Sequence, residues 1–81
     1  MKNISPRFPK LRTEIKPVHL THREKECLTW AARGKSSEET AMILSLKATT
    51  VSSYREQLKN KLKCVTMAQA VYEGIKRGWI I

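Results

Sequence analysis

The densest group of side chains able to bind phosphate in this 81-residue sequence lies between residues 47 and 63, where five cations accompany a single acid. Serine and threonine hydroxyls lie among these cations, and both kinds of group donate hydrogen bonds to phosphate oxygens. Residues 21–46, by contrast, hold four cations and four acids. Positive charge concentrated beside a neutral scaffold is typical of a surface that binds nucleic acid. A solvated surface of salt-paired side chains is the alternative interpretation.

Residues suited to catalysis or metal binding are sparse. The two cysteines and two histidines do not supply four ligands at the spacing of a zinc site. Ser36 and Ser37 have no base or acid arranged beside them, so helix capping explains them better than nucleophilic attack. A chain this short also has little room for a buried pocket. We therefore predict no catalytic residue, no metal, no cofactor and no small-molecule ligand, and we expect that the protein is not an enzyme.

Composition and length restrict the class of protein. Hydrophobic residues make up 41% of the chain and charged residues 28%, an ordinary balance for one small globular domain. No apolar run approaches the roughly 20 residues that a transmembrane helix needs. No apolar signal-peptide segment follows the first basic residue. We therefore expect a cytoplasmic protein without a membrane partner.

The first 17 residues differ from the rest in their prolines. Pro6, Pro9 and Pro17 are interspersed with five cations, and proline disfavours helical backbone both at its own position and at the residue before it. We expect residues 1–17 to form an extended, flexible basic tail or linker, and residues 18–81 to form the domain. A basic arm that contacts phosphates is the more specific alternative for the tail.

Three capping boxes, each a serine or threonine followed three residues later by glutamate or glutamine, indicate helix starts at Thr21, Ser36 and Thr66. Apolar residues at helical spacing follow each of them. Gly34 and Gly78 stand where left-handed helix caps are expected. The lack of any strand pattern predicts an all-α fold. The expected helices cover about 21–33, about eight residues after Ser36, about 48–63 and about 67–77.

The second and third expected helices have the proportions of a helix-turn-helix motif. A short helix is followed by a break at 45–47 without glycine or proline, and then by a longer basic helix. Ala41 is small enough to let the two helices approach, and Val51 is the apolar residue expected to pack between them. A major groove about 12 Å wide admits one α-helix, while the preceding helix offers its N-terminal amides to a phosphate. The motif core is expected at about 36–55.

The chain beyond its tail also resembles a known family. The run LTHREKECLTWAARGKSSEETAMILSLKATTV at residues 20–51, QAV at 69–71 and GWII at 78–81 are similar to the DNA-binding domain of LuxR-type (LuxR/GerE-like) bacterial transcription regulators. The REKECL block is most similar to the quorum-sensing branch, whose full-length members carry an acyl-homoserine-lactone domain upstream. The resemblance implies a four-helix domain with its third helix in the major groove and its fourth forming a two-fold dimer on a palindromic site. The chain is then a stand-alone member or the C-terminal piece of a longer regulator.

The resemblance assigns roles to particular residues. The base-reading positions of the family match Thr49, Ser52, Ser53 and Glu56, and Arg55 is a further candidate because arginine makes the commonest base contact, bidentate to guanine. We expect phosphate contacts to dominate the affinity, which should then fall steeply in salt. The expected phosphate contacts are Lys35, Ser36, Ser37, Lys47, Thr50, Lys59 and Lys61.

Several residues depart from the family pattern. Thr40 replaces an apolar isoleucine, and we expect its hydroxyl to bond to a carbonyl group of its own helix. Lys47 stands where the family prefers serine, so the third helix loses a side-chain cap worth about 1 kcal/mol. Tyr54 and Arg55 replace a histidine and an apolar residue, and we expect Tyr54 to pack inward while Arg55 turns toward phosphate. Glu56 has an ion pair with a nearby lysine as its alternative role.

Packing expectations concern the small core and the last helix. Cys27 is expected to be a small core residue, and Trp30 and Trp79 to close the core from two sides. Ile75 is expected on the inward stripe of the last helix. The end of the chain is nevertheless more apolar than a monomer's end should be, which favours a homodimer through Tyr72, Ile75 and Trp79.

Two functions are consistent with these observations. The leading hypothesis is a sequence-specific transcription regulator that binds double-stranded DNA as a homodimer. Such a regulator would be associated with the bacterial nucleoid, with RNA polymerase as a further candidate partner. The alternative is a short interaction module that heterodimerises with a full-length LuxR-type regulator and inhibits it.

Overall fold

The computed structural model describes residues 17–80, which form four α-helices and no strand. The predicted all-α, four-helix fold is therefore confirmed. The expected tail over residues 1–17 lies, except for its last residue, outside the described residues. No helix in the described range is long and apolar enough to cross a bilayer. The helices are α1 (His22–Ala32), α2 (Ser37–Leu44), α3 (Ala48–Leu62) and α4 (Met67–Lys76).

Local hydrogen bonds start three helices where the capping boxes predict. The Thr21 hydroxyl accepts a hydrogen bond from the Glu24 amide at 3.2 Å, and the Glu24 carboxylate accepts one from the Thr21 amide at 2.9 Å. The same reciprocal arrangement begins α2 and α4. Each box satisfies two backbone amides at the start of its helix, where the first amides have no partner inside the helix.

The turns after α2 and α3 use left-handed residues that are not glycine. Ser45 has a φ of 58° and Lys63 a φ of 57°. The turn at Ser45 lets the Leu46 amide donate to the Ala41 carbonyl oxygen at 2.9 Å, which closes the short break of the helix-turn-helix motif. A left-handed conformation costs a non-glycine residue about 1–2 kcal/mol, so the packing of α2 on α3 must offset it.

α3 lies at the centre of the domain and packs against each of the other three helices. Its residues Val51 and Leu58 are fully buried in one core cluster with Leu28 of α1. Ala41 of α2 is buried in the same cluster, as the predicted close approach of α2 and α3 requires. Cys27 is also fully buried, which confirms it as a core residue.

Small residues let α4 lie close to α1. Ala70 and Gly74 are buried, and a Cβ atom at Gly74 would lie 2.9 Å from Leu28 Cδ2 and 2.7 Å from Ile80 Cδ1. Because residues 70 and 74 are about one helical turn apart and face inward, residue 75 turns away from the core. The prediction that Ile75 faces inward is therefore wrong, and 56% of this residue is exposed.

The two tryptophans have different environments. Trp79 is half-buried and packs against the core, as predicted, with the Lys25 ammonium 5.8 Å from the centre of its ring. Trp30 is half-buried beneath the Arg33 guanidinium, 5.1 Å from its ring centre, and is not among the side chains packed on the core cluster. The prediction that Trp30 closes the core is therefore wrong.

Thr40 is fully buried in α2, but its Oγ1 atom has no hydrogen-bond partner. The predicted bond to a carbonyl group of its own helix is therefore not formed. Because the hydroxyl is buried without a partner, leaving it unsatisfied costs about 1–3 kcal/mol. Thr40 fills the place of an apolar side chain at that cost.

Candidate nucleic-acid interface

α3 has one buried side and one exposed side. Its residues Val51, Leu58 and Leu62 are buried in the core. The predicted base-reading residues other than Arg55 are all exposed. Their positions differ by three, four and seven, so they share one side of the helix. We call this surface the α3 outer face; it comprises Thr49, Ser52, Ser53 and Glu56.

Two exposed amide side chains, absent from the predicted set, extend this surface. Asn60 lies four residues after Glu56, and Gln57 lies four residues after Ser53. Amide side chains can form paired hydrogen bonds with the edge of an adenine. The helical spacing from the predicted residues was the signal that could have identified both of them.

An ion pair occupies part of this surface. Lys59 Nζ lies 2.9 Å from Glu56 Oε2, one helical turn away. The ion pair given as the alternative for Glu56 therefore forms, and the predicted base contact of Glu56 stays a prediction. The pair holds the Lys59 ammonium against the one acid of residues 47–63 and leaves the net charge of the segment unchanged.

The Lys61 ammonium is bound by other groups of the domain. Its Nζ atom lies 2.8 Å from Glu24 Oε1 and 3.2 Å from the His19 carbonyl oxygen. Glu24 is only 2% exposed. Burial raises the pKa of the Glu24 carboxyl, but hydrogen bonds from Lys61 and from the Thr21 amide outweigh it, and the pKa falls below its ordinary value of 4.5. The ammonium predicted to contact phosphate thus already compensates a buried carboxylate.

Arg55 also has its partner within the domain. Its Nη2 atom donates to the carbonyl oxygen of Lys35 at 2.8 Å. The side chain is half-buried, and its Nε atom is buried without a hydrogen-bond partner. Residue type had placed Arg55 among the predicted DNA contacts, whereas the structure directs it to the connection between α1 and α2. Tyr54 packs against the core, as predicted.

The remaining predicted phosphate contacts lie at the starts of α2 and α3. Lys47 is exposed directly before α3 and makes no side-chain capping bond, as its replacement of serine predicts. Thr50 is half-buried in the first turn of the same helix. The first turn of α2 carries Glu38 and Glu39, whose carboxylates oppose the approach of an anion. Lys35, Ser36 and Ser37 lie at that end of α2.

The outer side of α4 presents apolar side chains. Tyr72 is 62% exposed and Ile75 is 56% exposed. Trp79, the third predicted interface residue, is instead half-buried against the core. A groove of about 480 Å³ runs between the end of α3 and Tyr72. Its lining includes Leu62, Cys64 and Ala68.

The cysteines and histidines form no further site. Within residues 17–80, no group of three His, Cys, Asp or Glu side chains lies close enough to hold a metal ion. Cys27 and Cys64 are both free thiols. Burial raises the pKa of each thiol above its ordinary value of 9.0, so both stay protonated at neutral pH.

A family assignment follows from comparison with known proteins. Residues 18–73, more than half of the chain, match the model of the GerE family, bacterial regulatory proteins of the luxR family. The chain belongs to the LuxR family. The resemblance drawn from the sequence is thereby confirmed, and the matched LuxR-family region includes α1, α2 and α3 with most of α4.

Characterised LuxR-family regulators are similar to the chain over most of its length. It is 44% identical over 61 residues to the HTH-type quorum sensing-dependent transcriptional regulator VjbR of Brucella abortus, which covers 75% of this chain and 24% of VjbR. It is 37% identical over 71 residues to the transcriptional activator protein AhyR of Aeromonas hydrophila, covering 88% of this chain and 27% of AhyR. The chain therefore spans about a quarter of the length of these relatives.

A solved LuxR-family structure has the same fold. The structure of the transcription factor GerE superimposes with a TM-score of 0.73 at 26% sequence identity, and the match covers 76% of this chain and 92% of GerE. The four-helix arrangement with a helix-turn-helix motif is therefore the fold that this LuxR-family chain shares with GerE.

Proposed function

We propose that this chain binds double-stranded DNA as the DNA-binding part of a cytoplasmic transcription regulator. The observation that carries the proposal is the α3 outer face, a row of small polar side chains opposite a buried apolar side. α3 follows the tight turn at Ser45, and α2 packs against it. A helix of fifteen residues with one exposed polar side fits the major groove of B-DNA.

The α3 outer face supplies the base contacts in this proposal. Glu56 accepts a hydrogen bond from the amino group of cytosine, and Asn60 pairs with the edge of adenine. Serine hydroxyls such as that of Ser52 bond to either kind of base. Sequence preference then comes from short polar groups and not from arginine. Thr49, Ser53 and Gln57 complete the set.

Cations and hydroxyls around this face supply the phosphate contacts. Lys47 is the strongest of them because it is exposed and its side chain makes no capping bond to α3. Lys61 is left out, since the protein holds its ammonium against Glu24. Lys59 is left out for the same reason, since its ammonium is held against Glu56. The other proposed phosphate contacts are Lys35, Ser36, Ser37 and Thr50.

The regulator acts as a dimer in this proposal, with two copies of α4 in contact across a two-fold axis. Tyr72 and Ile75 support it, because two large apolar side chains exposed on adjacent turns of one helix are costly for a monomer. A two-fold protein dimer matches a palindromic site whose half-sites lie about one or more helical turns apart.

A salt titration on selected DNA tests the proposal. Duplexes are first selected from a random pool, and binding to the best of them is followed by fluorescence anisotropy between about 50 and 200 mM salt. If a dimer makes six or more phosphate contacts, the affinity should fall by about 1,000-fold over this range. A chain that binds no selected duplex even at the lowest salt concentration would contradict the proposal.

Replacing Lys47 by serine is expected to strengthen α3 and weaken DNA binding at once. The backbone of Lys47 already has the extended conformation of a helix cap, with φ −79° and ψ 147°. A serine hydroxyl there should stabilise the fold by about 0.5–1 kcal/mol in urea denaturation. The loss of the ammonium should reduce the slope of log affinity against log salt by about 0.9 per protomer.

Lys47→Gln is the matched control, because it removes the charge without adding a cap. We expect the same reduced salt dependence and no gain in stability. An unchanged salt slope in both variants would remove Lys47 from the set of phosphate contacts.

A further inference from the structure

We propose that Arg55 is a positioning residue that holds α3 at a fixed orientation against the α1–α2 connection, through its hydrogen bond to the Lys35 carbonyl. This inference rests on the proposed DNA binding, since the orientation matters for how α3 enters a groove. It assigns Arg55 a role inside the domain, where its residue type alone had favoured a DNA contact.

The first support is the geometry of the bond. Arg55 Nη2 lies 2.8 Å from the carbonyl oxygen of Lys35, twenty residues away in the sequence. Lys35 stands between Gly34, which ends α1 with a φ of 82°, and Ser36, which caps α2. One guanidinium therefore joins the middle of α3 to the point where the chain turns from α1 into α2.

The second support is the location of the side chain. Arg55 is half-buried and its Nε atom is sealed from solvent. Burial raises the pKa of the neighbouring Cys27 thiol, and the positive charge of Arg55 is the main opposing influence. Although Arg55 lies one helical turn after Ser52, its bond to the Lys35 carbonyl oxygen directs the guanidinium to the α1–α2 connection and away from the α3 outer face.

The consequence for DNA binding follows from the rigidity of the motif. In the proposed complex, α2 places its first amides near a phosphate while α3 presents side chains to the bases. The Lys35 amide donates to the Trp30 carbonyl oxygen of α1 at 3.0 Å, and the Ser36 amide donates to the Glu39 carboxylate of α2 at 2.9 Å. The connection is thereby tied to α1 and α2, and the Arg55 bond ties it to α3 as well. Without this restraint the orientation of α3 relative to α2 is no longer fixed. The base contacts then weaken, although no DNA contact has been removed.

Arg55→Met tests the inference, because methionine fills similar space without charge or donors. We expect the affinity for the selected duplex to fall about tenfold, with the salt slope equal to that of the unsubstituted protein. Lys47→Gln, measured beside it, should lose about 0.9 from the slope per protomer. A comparable loss of slope in Arg55→Met would show a phosphate contact, and a lost preference at one base pair alone would show a base contact; either result overturns the inference.

Amide hydrogen exchange without DNA provides the second measurement. The α2 amides of the variant should exchange about tenfold faster, while the α4 amides keep their protection. If Arg55→Met does not fold, the shorter neutral Arg55→Gln is measured in its place. Unchanged α2 protection in a folded variant overturns the inference. Failure of the unsubstituted protein to bind any duplex would instead refute the proposed function, so the two failures are distinguishable.

Discussion

Replacing Lys61 by methionine is expected to lower the free energy of unfolding by about 2 kcal/mol. The variant leaves the Glu24 carboxylate, which is 2% exposed, without its ion-pair partner in the interior. A broken buried pair usually costs more, but the Lys61 side chain is 38% exposed and solvent already screens part of the interaction. For a domain of this size the melting temperature should fall by about 8–16 °C, measured by circular dichroism.

Two further variants identify the cause of that loss. Glu24→Gln combined with Lys61→Met removes both charges. It retains the capping box, since the glutamine side-chain oxygen can accept a hydrogen bond from the Thr21 amide. This double variant should be within about 1 kcal/mol of the unsubstituted protein. Lys47→Met, at an exposed position, should change stability by less than about 0.5 kcal/mol. A double variant as unstable as Lys61→Met would refute the explanation by an unpaired buried charge.

The effect of Lys61→Met should also depend on pH. The pKa of Glu24 in the folded protein lies below its ordinary value of 4.5. Such a group stabilises the fold fully above its ordinary pKa, and the contribution is lost as the pH falls through the lower folded pKa. The stabilities of the two proteins should therefore converge in acid, because protonated Glu24 no longer needs the ammonium.

Replacing Ile75 by aspartate is expected to weaken binding to a palindromic duplex by about 100-fold, because cooperative binding of two copies is lost. In the proposed dimer the two introduced carboxylates would face one another in an apolar contact, where like charges repel strongly. Ile75 is 56% exposed in the single chain, so the fold itself should be unchanged. Affinity is measured by anisotropy on the selected palindrome, and oligomeric state by analytical ultracentrifugation.

A duplex with a single half-site and a control variant isolate the dimer contact. Binding to the half-site should change less than about threefold, since Ile75 lies outside the α3 outer face. Met42→Asp introduces the same charge at an apolar side chain that is 79% exposed on α2, and it should leave the oligomeric state unchanged. If Ile75→Asp binds the palindrome as tightly as the unsubstituted protein, the proposed α4 interface is incorrect.

Local sequence signals were sufficient to predict the helices. A capping box needs only residues three positions apart, and each of the three predicted boxes forms. The lack of a cap at Lys47 was also predictable, because it depends on one side chain. The left-handed turn at Ser45 was not, since serine has no intrinsic preference for it and the packing of α2 on α3 imposes it.

The side chains around α3 show which contacts the sequence could not predict. The family resemblance assigned base reading to Thr49, Ser52, Ser53 and Glu56, and the structure exposes all four on one side of α3. A match to a family position cannot tell an unpaired lysine from one that contacts an acid on another helix, and Lys61 contacts Glu24, which lies 37 positions away in the sequence. Asn60 was not predicted because the base-reading set was carried over from the family positions, and Asn60 was not among them.

The sequence by itself determined the class of fold and the helix starts, because each depends on residues within one or two helical turns. The family resemblance supplied the polar row on α3. Only the tertiary structure decided which cations remain available for DNA. Arg55 and Lys61 find their partners in segments that folding brings together, the Lys35 carbonyl and the buried Glu24 carboxylate. Contacts of that kind depend on the relative placement of helices, which no local pattern in the sequence specifies.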